Sequence, residues 1–195
     1  MNNVELQTTK NVFMVLIAYL HDKLVKISAT LTIKNKHQNL ILTEPKIFSP
    51  GEVKNPPDTV INPGEISDST EFTAGSGQDS RGIISYKIIG QRGPNSNPLY
   101  LIVTWKVKLS GENSININVR EYEEFPSLDK SLLKELHRGN TGSTCPNKTV
   151  KYHDNRHDFI VTGIIDNKSN AKIKITLSQN FQNTEITEPI EVPDT

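Results

Sequence analysis

Cysteine is nearly absent from these 195 residues, with Cys145 alone, and charge of either sign is not in excess, since 22 Lys and Arg balance 22 Asp and Glu. A lone thiol excludes an internal disulfide, and no Cys/His framework at zinc spacing gives it another structural use. Packing must therefore hold the fold together. Charge balance removes the global field that would draw the chain to nucleic acid, so no nucleic-acid partner is expected. A bilayer-spanning run is missing as well. The wholly apolar stretch Val12-Phe13-Met14-Val15-Leu16-Ile17-Ala18-Tyr19-Leu20 is too short, because a helix rising about 1.5 Å per residue needs roughly 20 such residues to cross the hydrocarbon layer. There is also no pair of acids at catalytic spacing, no Ser-His-Asp order and no cofactor fingerprint, so neither enzymatic activity nor a cofactor is expected.

What is present is a segment of helical or core-strand character followed at once by sheet. The apolar run leads into a strand in which Ile27, Ala29, Leu31 and Ile33 alternate with Ser28, Thr30, Thr32 and Lys34. The run itself reads either as an amphipathic or buried helix or as a core strand, with β-branched Val12, Val15 and Ile17 weakening the helical reading. Glu5 and His21-Asp22-Lys23 do not suit a secretory signal, so synthesis without export is the expectation. The protein would then act in the cytoplasm or after release, as a soluble form that meets a target membrane.

Period-two alternation recurs downstream. Leu99, Leu101, Val103, Trp105, Val107 and Leu109 oppose Tyr100, Ile102, Thr104, Lys106 and Lys108, while Ile115, Ile117 and Val119 oppose Asn116, Asn118 and Arg120. These are expected as half-buried strands, with Trp105 in the core. Further strands are expected over 40–48, 82–89, 159–165 and 171–177, separated by turn-rich pieces such as Asn55-Pro56-Pro57-Asp58 and Asn62-Pro63-Gly64. Many short strands with Pro/Gly turns indicate a β-sandwich. One internal helix is expected over 127–137, capped by Ser127, with Leu128, Leu132 and Leu136 as an i, i+4 stripe against the sandwich. The organisation is an N-terminal segment at 1–22, a sandwich domain at 23–177 and an acidic tail at 178–195.

Several polar groupings invite chemistry and have a plainer reading. His153 and His157 have the i, i+4 spacing of helical metal ligands, yet they lie between strands and read as a solvated turn, so no metal is expected. Cys145 precedes Pro146 with no base fixed beside it and reads as an unreactive loop thiol. The glycines of Gly75-Ser76-Gly77 resemble a phosphate cradle only in content and read as a hairpin loop.

From end to end the chain resembles the actinoporins, the sea-anemone pore-forming cytolysins, across roughly residues 4–177. The likeness rests on collinear features. The apolar N-terminal segment leads into the strand ending at Asn35, and Ile47-Phe48-Ser49-Pro50-Gly51 is similar to the family's aromatic-x-Ser-Gly segment. Gly82-Ile83-Ile84-Ser85-Tyr86 resembles its Gly-Val-Leu-x-Tyr strand, and the strand from Leu99 to Thr104 its apolar strand ending in Ser. The helix over 127–137 and the closing hairpin over 159–177 fall in their places.

The resemblance implies a mainly β protein, a β-sandwich flanked by two short helices, which binds a lipid membrane, releases its N-terminal helix and assembles as a homo-oligomer into a pore. Val12, Phe13, Leu16, Ile17 and Leu20 would then be the membrane-inserting residues. By the same likeness Ser49 and Thr104 occupy headgroup positions, while Lys106, Lys108 and Arg138 would meet anionic lipid through their charge alone. The segment Lys106-Val107-Lys108-Leu109-Ser110-Gly111-Glu112-Asn113, where the family carries headgroup-binding aromatics, has none. A lectin-like module of the same general fold that binds a glycan is a second reading that fits this lack, and an intracellular interaction protein is a third that fits the unsuited signal region and the single thiol.

Overall fold

The computed structural model describes residues 26–90, 97–138, 147–153 and 158–180, giving backbone alone at 137–138, 147–153 and 158. In chain order the elements are β1 (Ser28–Asn35), β2 (Ile41–Phe48), β3 (Glu52–Lys54), β4 (Val60–Ile61), β5 (Thr70–Thr73), β6 (Ser80–Ile89), β7 (Leu99–Val107), β8 (Ser114–Glu121), α1 (Lys130–Arg138), β9 (Asn147–His153), β10 (Asp158–Ile165) and β11 (Asn170–Gln179). They form a six-stranded sheet ordered β3-β5-β1-β11-β10-β9 and a five-stranded sheet ordered β4-β2-β6-β7-β8. The protein is thus mainly β, with one short helix among the described residues. The N-terminal segment expected to hold a second helix, with Val12, Phe13, Leu16, Ile17 and Leu20, lies outside them.

The first half of the chain moves back and forth between sheets, and the second half is two meanders joined by α1. β6, β7 and β8 pair antiparallel in sequence, as do β9, β10 and β11. Closure comes from β1, which pairs parallel with β11 so that Ser28 faces Asn170 and Asn35 faces Leu177. The stretch from Gly75 to Ser80 is accordingly a crossover from β5 in one sheet to β6 in the other, and not the hairpin loop its glycines suggest.

The inner faces follow the alternation in the sequence. Ala29, Leu31 and Ile33 of β1 meet Leu99, Leu101, Val103 and Trp105 of β7 and Ala171, Ile173, Ile175 and Leu177 of β11 in one continuous core. Each fully buried Leu, Ile or Val contributes about 1.5–3 kcal/mol. Trp105 is fully enclosed, its ring 4.3 Å from that of Phe72, as its alternation with Leu101 and Val103 requires. Gly82 makes room for it, since a Cβ there would sit 2.5 Å from the indole Cζ2 and 2.7 Å from the Phe48 carbonyl oxygen. Tyr86 also points inward, donates its hydroxyl to the Asp58 carbonyl oxygen at 3.0 Å, and is held protonated well above the ordinary phenol range by burial.

The outer face of the five-stranded sheet departs from expectation. Half-buried strands were expected, yet every residue of β7 except Lys106 is buried. Tyr100, Ile102 and Ile83 pack with Phe125, Leu133 and Leu136 in a second cluster, beneath the 122–128 segment and α1. The helix starts later than expected: Asp129 Oδ1 accepts the Leu132 N–H at 2.8 Å, making Asp129 rather than Ser127 the cap. Its deepest leucines are Leu133 and Leu136, with Leu128 and Leu132 only partly covered.

Side-chain amides fasten the connections. Asn113, after β7, donates its backbone N–H to Asn167 Oδ1 and its Nδ2 to the Asp166 and Lys168 carbonyls, all at 2.9 Å, which ties the β7–β8 turn to the β10–β11 turn. In β2, Pro45 follows Glu44, whose φ of 51° marks a bulge between Thr43 and Lys46. The short β4 pairs only with Leu42 and Thr43, so the proline costs no ladder bond on that side.

Candidate lipid-headgroup site

Pairing across the five-stranded sheet sets Phe48, Ile83, Thr104 and Asn116 in one row on the outer face. The neighbouring row is Arg81, Lys106 and Ser114. Ser49 leaves β2 at this edge, where its hydroxyl donates to the Arg81 carbonyl and accepts the Gly51 N–H, each at 3.4 Å. Asn116 donates Nδ2 to the Leu136 carbonyl oxygen at 2.9 Å, fastening the last turn of α1, which ends at Arg138, over the same row. Lys108 follows in the β7–β8 turn, its N–H bound to Asn113 Oδ1 at 2.9 Å. Ser49, Thr104, Lys106, Lys108 and the backbone of Arg138 are thereby gathered at one end of one sheet, although they come from three separate stretches of sequence.

They are not equally open. Thr104 is wholly buried, and its Oγ1 has no hydrogen-bond partner among the described residues. The same holds for Ser85 Oγ in the next row. Lys106 is half-buried and pairs with Asp79 Oδ2 at 3.1 Å. Burial acts to raise the Asp79 pKa, but the Leu109 N–H at 3.0 Å and the Lys106 ammonium outweigh it and hold the carboxyl below its usual range. Of the four whose side chains are described, half-buried Ser49 and Lys108 are the ones open to solvent without an ion pair.

Asp79 and Asn116 were not foreseen from sequence, and neither was an aromatic group beside α1. Tyr100, Tyr122 and Phe125 pack with ring centroids 4.3–6.0 Å apart, and the Lys46 ammonium lies 5.1 Å above the Phe125 ring. The i, i+3 spacing of Tyr122 and Phe125 was the available signal. Cys145 and His157 lie outside the described residues, as does the side chain of His153. Among the described residues no cluster of three or more His, Cys, Asp or Glu is arranged to hold a metal ion, and no helix is long and apolar enough to cross a membrane.

No family model and no curated protein matches the chain. Solved structures do share its fold. The crystal structure of the lipid binding protein Nakanori superposes with a TM-score of 0.57 at 18% identity, over 91% of this chain and 82% of that one. A substituted form of the Xerocomus chrysenteron lectin XCL gives a TM-score of 0.50 at 8% identity, over 78% of this chain and 98% of the lectin. Both are named for binding.

Proposed function

We propose that this chain is a membrane-binding protein of actinoporin type. In this reading, lipid headgroups are read at the end of the five-stranded sheet where Ser49, Lys106 and Lys108 gather beside the last turn of α1. The observation that supports it best is the shared fold with a lipid binding protein over 91% of the chain. Ser49 offers a hydroxyl to a headgroup, and Lys108 a solvated ammonium. Lys106 would have to exchange Asp79 for lipid phosphate. Thr104 contributes only if α1 shifts, because its hydroxyl lies under the helix.

Pore formation is the finer part of the proposal. Val12, Phe13, Leu16, Ile17 and Leu20 would enter the bilayer as a helix that satisfies its own backbone hydrogen bonds, beside the same segment of other copies. Dye-loaded liposomes of several lipid compositions test both parts. Sedimentation with the vesicles is expected, with leakage from the full chain and none from a chain beginning near Lys23. Binding without leakage would leave lipid recognition and remove the pore. No binding to any vesicle would remove both.

A glycan-binding module is the second reading, favoured by the lectin whose length the fold match almost fully covers. Specific binding on a glycan panel, without vesicle binding, would select it.

A further inference from the structure

We propose that the outer face of the six-stranded sheet is a second lipid contact, selective for anionic membrane surfaces. This rests on the membrane-binding reading above and adds a charge-dependent contact on the opposite side of the sandwich from Ser49, Lys106 and Lys108. The parallel register of β1 and β11 sets Thr30 beside Lys172, Thr32 beside Lys174 and Lys34 beside Thr176. Lys172 and Lys174 share one face of a strand, about 7 Å apart, and Lys34, level with Thr176 on β1, is the diagonal neighbour of Lys174. On the far side β10 sets Ile164 beside Lys174 and Thr162 beside Thr176.

The face is open. Lys172 and Lys174 are exposed, Lys34 is half-buried, and Ile164 keeps 47% of its surface in water. The ion pairs of the described residues, Lys87 with Glu44, Lys106 with Asp79 and Arg120 with Glu135, engage none of these three lysines. Three described acids share this face: Glu71, in register with Lys54 on one side and Thr30 on the other, accepts the Thr73 hydroxyl, Glu52 lies on the edge strand β3, and Asp166 in the β10–β11 turn accepts the Lys172 backbone N–H. Like charges clustered on one face of a sheet repel and weaken it unless an anion answers them.

Charge complementarity therefore calls for an anionic partner, and the shape and company of the lysines favour a lipid surface. Threonine hydroxyls lie between the ammonium groups, and an exposed isoleucine stands beside one, a mixture suited to phosphate headgroups over an acyl boundary. The described side chains of this face include no aromatic on which a nucleic-acid base would stack.

The test compares the full chain with its Lys34→Gln, Lys172→Gln, Lys174→Gln variant on phosphatidylcholine vesicles with and without phosphatidylserine. Phosphatidylserine is expected to strengthen wild-type binding, and added salt to weaken it. The triple variant is expected to bind phosphatidylserine vesicles about 100-fold more weakly, roughly fivefold for each lysine. Lys130→Gln with Lys134→Gln on α1 should leave this binding unchanged. If the triple variant melts early, Lys174→Gln alone is read for its fivefold loss. Equal binding by wild type and variant overturns the proposal. Binding to phosphatidylcholine or sphingomyelin with no gain from phosphatidylserine also overturns it, yet leaves the membrane-binding reading standing. Failure on every vesicle overturns both. Lysine-dependent binding to RNA or DNA that exceeds vesicle binding would replace lipid with nucleic acid.

Discussion

On β7 the outward residues Tyr100, Ile102 and Thr104 are as deeply enclosed as the inward ones, whereas on β11 the outward Lys172 and Lys174 stand in water beside inward residues that are fully buried. Both strands alternate, and both meet the same core. Covering makes the difference, because α1 and the 122–128 segment lie over one sheet and no described element lies over the middle of the other. The lesson concerns what alternation reports. It marks the inner face in either sheet, while the chemistry of the other positions tells whether something lies on top: Ile83, Tyr100 and Ile102 under a helix, threonines and lysines where there is none.

If that contrast is right, equal truncations on the two outer faces should have unequal costs. Leu133→Ala under the covering helix is expected to lower stability by about 2–5 kcal/mol, while Ile164→Ala on the bare face should cost less than about 1 kcal/mol, both by urea unfolding. Comparable losses would mean that the six-stranded sheet is covered as well.

A smaller effect of opposite sign is expected at Thr104. Its buried hydroxyl has no protein partner, so Thr104→Val should raise stability by about 1 kcal/mol by removing a desolvation cost. A loss on thermal unfolding would instead reveal a bridging water under α1, and the covered face would then be wet.

Least affected is the rim of the covered face at Asp79. Because its pKa is lowered in the folded state, it stabilises the fold above the ordinary Asp range, and that contribution disappears as pH falls through its folded-state value. Asp79→Asn should cost under about 1 kcal/mol at neutral pH, since the pair is partly open to solvent, and nothing in strong acid. A difference that persists in acid would assign the effect to the Leu109 contact and not to charge.

The long strands were legible because period-two alternation over seven or more residues has no helical counterpart. β3, β4 and β5 were not, as two to four residues cannot display a period. In β9 the alternating side is largely Lys, Thr and Asn, so no apolar run advertises it. The helix was visible through its leucines, but Ser127 and Asp129 are both good caps and only tertiary packing chooses between them. For the candidate site, each residue stood out singly, while the gathering of Ser49, Thr104, Lys106 and the end of α1 depends on strand register and on the Asn116 bond. That Thr104 is covered, and Lys106 already paired, comes from partners about 30 residues away in the chain, beyond the reach of a local pattern.

The parallel pairing of β1 with β11 has a consequence for how the molecule comes into being. A nascent chain leaving the ribosome holds β1 ready but with one flank empty until Asn170 and the residues after it emerge. Until then the larger sheet presents an unpaired backbone edge flanked by Leu31 and Ile33, the sort of exposed seam along which strands of neighbouring chains join. Maturation of the sandwich therefore waits for β11, and chaperone capture would be most useful during that interval.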